Sequence, residues 1–74
     1  MNIKNEVIEK AEALRKRGLS NVEIEKEMYW VILDLIAVQP EVQSEWRRNG
    51  FPPQKYYKDI AIADLAMQDF LAAA

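Results

Sequence analysis

Three of the four aspartates, Asp34, Asp64 and Asp69, and two runs of basic residues are the groups in this sequence from which chemistry could be built. Asp34 stands alone inside MYWVILDLIAV, Met28 to Val38, the most apolar stretch of the chain, and Asp64 and Asp69 follow near the C-terminal end. A carboxylate among apolar side chains is raw material for general acid–base catalysis, because desolvation disfavours its charged form. An enzyme built this way would need a pocket with Asp34 or Asp64 at its base and a second group of displaced pKa. The aspartates lack the alternating carboxylates and glycine turn of a calcium or magnesium loop. Histidine and cysteine are both absent, which removes the commonest general base, the commonest zinc ligands, thiol nucleophiles and disulfides. The expectation is a non-enzymatic protein with no metal, no cofactor and no evident small-molecule substrate.

The basic runs are Arg15-Lys16-Arg17 and Arg47-Arg48. They could meet phosphate if the fold brought them onto one face. Both stand just ahead of a glycine, where bases in the last turn of a helix complement its dipole, so capping accounts for them without a ligand. Ten Lys and Arg against twelve Asp and Glu leave a net charge of −2, short of the basic excess of a dedicated nucleic-acid binder.

Helices must position these groups, since no apolar alternation marks a strand. A single domain over residues 1–74 is expected, all-α, with four helices at about 2–17, 20–38, 40–48 and 54–72 and the second central. Ile3, Val7, Ala11 and Leu14 give the first helix its stripe, and Gly18 ends it. Ser20 and Glu23 form a capping box for the second, with Leu19 stapling to Ile24 across the cap. Pro40 stops that helix and starts the third, which carries Val42 and Trp46 on one side. Gly50 closes the third helix, with Phe51 placed to fold back on Trp46. After Pro52-Pro53 the last helix carries Tyr56, Ile60, Ala63, Met67 and Phe70 at helical steps.

Winding the second helix at about 100° per residue brings Glu23, Glu27 and Asp34 within about 40° of one another, beside Trp30 and Ala37. Asp34 therefore continues a thin acidic line and is expected to be solvated. The remaining circumference is an apolar arc of roughly 220°, where a surface helix needs little more than about 100°. Ile24, Met28, Val31, Leu35 and Val38 follow a four-three-four-three step within it. The far side of the arc would need a cover, so a homodimer through this helix is expected. The partner surface is assigned to Met28, Tyr29, Trp30, Ile32, Asp34 and Ile36, with the last helix contributing. Trp30, beside the acids, is a candidate protein–protein anchor.

AEALRKRGLSNVEIEKEM resembles the first part of a helix-turn-helix in Ala11, Leu14, Gly18, Leu19, Ser20, Glu23 and Ile24, under a third of the chain. That resemblance implies a small DNA-binding regulator, using Arg15, Lys16, Arg17, Arg47 and Arg48. Its second helix should present polar base-reading residues, whereas Trp30 to Val38 is apolar and acidic. The run from Met28 through Gln39-Pro40-Glu41 to Trp46 and Arg48 is similar to the theta subunit of bacterial DNA polymerase III, which implies an accessory role in a larger complex. The leading expectation is a small adaptor or accessory protein, of the kind bacteria and phages encode, binding itself and one other protein. Its charged first residues do not read as a signal peptide, and the apolar run is about half the ~20 residues that span a bilayer. A cytoplasmic location is expected.

Overall fold

The computed structural model describes residues 2–73. All of its regular structure is helical: α1 (Ile3–Lys16), α2 (Asn21–Ile36), α3 (Pro40–Asn49), a short 3-10 turn (Gln54–Tyr56) and α4 (Tyr57–Ala72). No helix among the described residues is long and apolar enough to cross a membrane. α1, α2 and α4 all touch one another, and α3 is attached at one end of this trio.

Local signals account for most of the boundaries. Asn2 caps α1 by accepting from the Asn5 N–H at 3.0 Å. At the other end Gly18 takes the left-handed conformation, φ 92°. Its N–H donates to Arg15 O at 2.9 Å, and the Leu19 N–H reaches Leu14 O at 3.3 Å. That pair of bonds is a Schellman cap, and Leu14 and Leu19 both pack on the core beside it. The capping box of α2 is formed on both sides: Ser20 N–H donates to Glu23 Oε1 at 3.0 Å, and Glu23 N–H donates to Ser20 Oγ at 3.3 Å.

Four local expectations are corrected. α2 stops at Ile36 rather than near Val38, because Ala37 leaves the helical region (φ −98°, ψ 81°) and Gln39 is extended ahead of Pro40. The Gln43 side chain then donates to the freed Ala37 carbonyl at 2.6 Å. Val38, expected on the apolar arc, projects from the turn at 77% exposure. Phe51 does not fold onto Trp46 and is 59% exposed. The last helix opens with a 3-10 turn, Tyr56 N–H to Pro53 O, because the two prolines before it supply no backbone donors.

The core divides in two. The larger cluster joins Val7 and Ala11 of α1, Ile24, Met28 and Ile36 of α2, and Ala63, Ala66 and Met67 of α4. The smaller joins Leu33, Ala37 and Trp46, with Val42 and Ile60 against it. α2 alone contributes fully buried side chains to both, which makes it the central helix. Small side chains where α1 meets α4, Ala11, Ala63 and Ala66, let these helices approach closely. Complete burial of Val7, Ile24, Met28 and Leu33 contributes about 1.5–3 kcal/mol each, a large share of the stability of a domain this small.

Candidate functional site

The residues assigned to a partner surface are split three ways by the fold. Met28 and Ile36 go into the larger core cluster, 0% and 7% exposed, covered by the chain's own helices. Ile32 is half-buried and Tyr29 is 45% exposed, and both line a furrow between α2 and α4. Trp30 and Asp34 point elsewhere, toward α3.

On that α3 side, Trp30 is 48% exposed and meets Tyr29 edge-to-face, centroids 5.0 Å apart. Arg47 reaches back from α3, its guanidinium 5.4 Å from the Trp30 ring centroid and 3.6 Å from an Asp34 carboxylate oxygen. Trp30 and Asp34 are one helical turn apart, so a single Arg can span both. Asp34 is solvent-exposed as expected, and its contact with Arg47 is the one ion pair among the described residues. Exposed pairs of this kind contribute about 0–1 kcal/mol. Below them the Trp46 indole N–H donates to the Tyr29 hydroxyl at 3.2 Å, tying α3 to α2 through a half-buried bond.

The furrow consists of two contiguous depressions of about 450 and 460 Å³. Val22, Glu25, Lys26, Met67 and Gln68 line one, Trp46, Tyr57, Ile60 and Ala61 the other, and Tyr29, Ile32 and Asp64 are shared. No α1 residue lines either depression, so the furrow lies on the side of the α2–α4 pair away from α1. Val22 and Tyr57 are 64% and 52% exposed at its two ends. Asp64 sits at its middle, exposed and free of ion pairs among the described residues. Asp64 falls at the edge of the apolar stripe of α4, where a carboxylate would ordinarily accept a hydrogen bond from another helix. The furrow leaves it facing solvent instead.

Charge is distributed unevenly around these elements. α2 carries Glu23, Glu25, Glu27 and Asp34 against Lys26, and α4 carries Asp59, Asp64 and Asp69 against Lys58. Over their full circumference α2 and α4 thus hold seven acids and two bases, net −5, while the rest of the chain holds five acids and eight bases, net +3; of these charges only Glu25, Lys26 and Asp64 line the furrow. One carboxylate is held below its ordinary value of 4.5: Glu23, by the backbone N–H of Ser20 and then its hydroxyl. It serves the helix cap.

The basic runs do not form a common face. Arg15 donates to Asn21 Oδ1 at 2.6 Å and lies 4.2 Å from the Phe70 ring centroid, at the start of α2. Arg47 sits at Asp34, near the end of α2, about 20 Å further along at 1.5 Å per residue. Lys16, Arg17 and Arg48 are exposed next to them, Lys16 and Arg17 by Arg15 and Arg48 by Arg47. Among the described residues no group of three or more carboxylates gathers into a metal cluster.

Sequence reasoning passed over Val22, although it falls within the apolar arc of α2 between Tyr29 and Leu33, and it counted Tyr57 with the core aromatics, whereas Tyr57 is exposed. No protein-family model matches the chain, and no curated protein or solved structure is significantly similar to it.

Proposed function

We propose that this chain is a non-enzymatic helical interaction module that docks another protein along the α2–α4 furrow. One observation carries the reading: Val22, Tyr29 and Tyr57 stay 64%, 45% and 52% exposed around a concave, largely apolar lining, although the core beside them is closed. Aromatic side chains around a concave apolar surface are the usual anchors of protein interfaces. Burial of Met28 and Ile36 within the chain reduces the apolar surface on which a homodimer through α2 would rest, so a different protein is the proposed partner and a second copy the alternative. A DNA-binding regulator finds less support, because the two basic runs lie apart and the exposed first half of α2 offers three glutamates and one lysine. We place the module in the cytosol, where a cysteine-free domain loses nothing by lacking disulfides.

Site-specific photocrosslinking in the native host tests the proposal. A photoreactive phenylalanine at Tyr57 should capture one discrete protein species, and the same group at Lys16, away from the furrow, should not. Identical adducts from both positions, or none from Tyr57, would count against docking in the furrow.

A further inference from the structure

We infer that the outer face of α4 is a self-association surface, on which a second copy of this chain packs its own α4 antiparallel. The face is distinct from the furrow, and nothing about it depends on what docks there. Lys58, Ile62, Leu65 and Asp69 build it. At about 100° per residue they fall within about 60° of one another, forming one straight stripe. All four are exposed, Ile62 to 42% and Leu65 to 64%. The centre of the stripe lies about 130° round the helix from Asp64 in the furrow. Lys58 and Asp69 are the charges on the stripe, and the other acids of α4, Asp59 and Asp64, wind outside it. Ala61 and Ala72 border it, both exposed, and side chains this small let a second helix come close.

Two features of the stripe select a second copy as its occupant. The first is spacing, which reads the same from either end: four, three and four residues. A copy turned end for end about an axis between Ala63 and Asp64 sets Ile62 against Leu65 and Lys58 against Asp69, each pair occurring twice. A two-fold interface has this reciprocity, residue i on j and j on i. A parallel copy would instead set Lys58 on Lys58 and Asp69 on Asp69, which like-charge repulsion opposes. The second feature is that both charges stand at the unfavourable ends of their own helix. Lys58 lies in the first turn of α4, where the dipole favours an acid, and Asp69 opens the last turn, where it favours a base. Neither has an ion-pair partner among the described residues. Stability within the chain accounts for neither charge, whereas an antiparallel copy supplies each with its opposite. One helix pair is a small interface, so the dimer should be weak, with a dissociation constant on the order of 0.1 mM.

Sedimentation equilibrium of the full chain at low salt, from about 10 µM to about 1 mM, tests the inference. The chain should pass from monomer to dimer over this range. Lys58→Glu and Asp69→Lys should each weaken association by about tenfold or more, because one makes the stripe wholly acidic and the other wholly basic. Asp69→Lys removes one negative charge and adds one positive, taking the net charge from −2 to zero. That change by itself favours association, so a loss there reports the stripe. Glu9→Lys makes the same change of net charge at an exposed position of α1 and should leave the dimer within about twofold. An equimolar mixture of Lys58→Glu and Asp69→Lys should dimerise again, within about threefold of the unaltered chain, since acid then faces base at both ends. Both positions are exposed, and each new charge suits the dipole at its helix end, so dilute samples of either variant should melt no lower than the unaltered chain. A chain still monomeric at about 1 mM would overturn the inference. So would a dimer indifferent to both reversals, a dimer weakened as much by Glu9→Lys as by Asp69→Lys, or a mixture that associates no better than its components.

Discussion

The larger core cluster and the α3 attachment are held by different means. Between α1, α2 and α4 the buried contact is apolar, eight buried side chains with no polar group among them, and Arg15, bonded to Asn21 and lying over Phe70, adds one polar link at its edge. α3 inserts a single buried side chain, Trp46, and is otherwise tied by polar links: Gln43 to the Ala37 carbonyl, Trp46 to Tyr29, Arg47 to Asp34 and Trp30. Apolar burial scales with area and is lost only when the helices separate. A few polar links at half-exposed positions exchange with water at little cost. The trio should therefore unfold as one unit, while α3 opens locally at lower free energy. That difference matters for function, because Tyr29 and Trp46, which join α2 to α3, also line the furrow.

The comparison breaks or sharpens in a set order. Met28→Ala should cost the whole domain about 2–5 kcal/mol in urea denaturation, since Met28 is 0% exposed at the centre of the larger cluster. Amide exchange should rise in α1 and α4 together. A smaller change, with exchange confined to α2, would mean the trio is not one unit. Tyr29→Phe removes the acceptor of the Trp46 indole N–H and should cost about 1 kcal/mol. Its accelerated exchange should be confined to residues 40–49, and spread of that effect into α1 would erase the distinction between the regions. Ser20→Ala should also cost about 1 kcal/mol by thermal unfolding, here at the junction of α1 and α2 within the trio.

The Glu23 cap adds a pH dependence of known sign. Its folded pKa lies below the ordinary 4.5, so its contribution is fully present above that value and is lost as pH falls through the lowered folded value. Glu23→Gln should flatten this part of the acid limb in a stability profile, and an unchanged limb would mean the capping box carries no weight in solution. Asp34→Ala should have the smallest effect, below about 1 kcal/mol, because its pair with Arg47 is about half exposed on both sides. A cost above about 2 kcal/mol would show that α3 is held by this pair rather than by Trp46.

Most of the chain-local capping chemistry was legible, although the break at Ala37 and the exposure of Phe51 were not. Ser20 and Glu23 announce the start of α2, Gly18 the end of α1, and Pro40 the start of α3, since each acts through its own backbone or through neighbours within about one turn. The solvation of Asp34 could also be read by winding the helix. What could not be read was the direction in which α2 buries itself. Ile24, Met28, Val31, Leu35 and Val38 suggested one straight seam, yet the wholly buried residues run from Ile24 and Met28 to Leu33, a rotation of roughly 140° between Met28 and Leu33 at 100° per residue. The cause is Trp46, which reaches α2 from a helix beyond the Ala37 break and covers Leu33 from the opposite side.

The sequence by itself determined that this chain is a set of helices with defined caps and turns, and that it lacks the side chains for thiol, zinc or histidine chemistry. Tertiary structure alone decided which part of the apolar arc on α2 is used up. It buried Met28 and Ile36 within the chain, paired Asp34 with Arg47, and left Tyr29 and Tyr57 facing a largely apolar furrow. The physical reason is that periodicity records how many apolar residues a helix carries and on which sides. Which of those sides meets another helix depends on contacts between residues far apart in the chain, and these no local pattern contains.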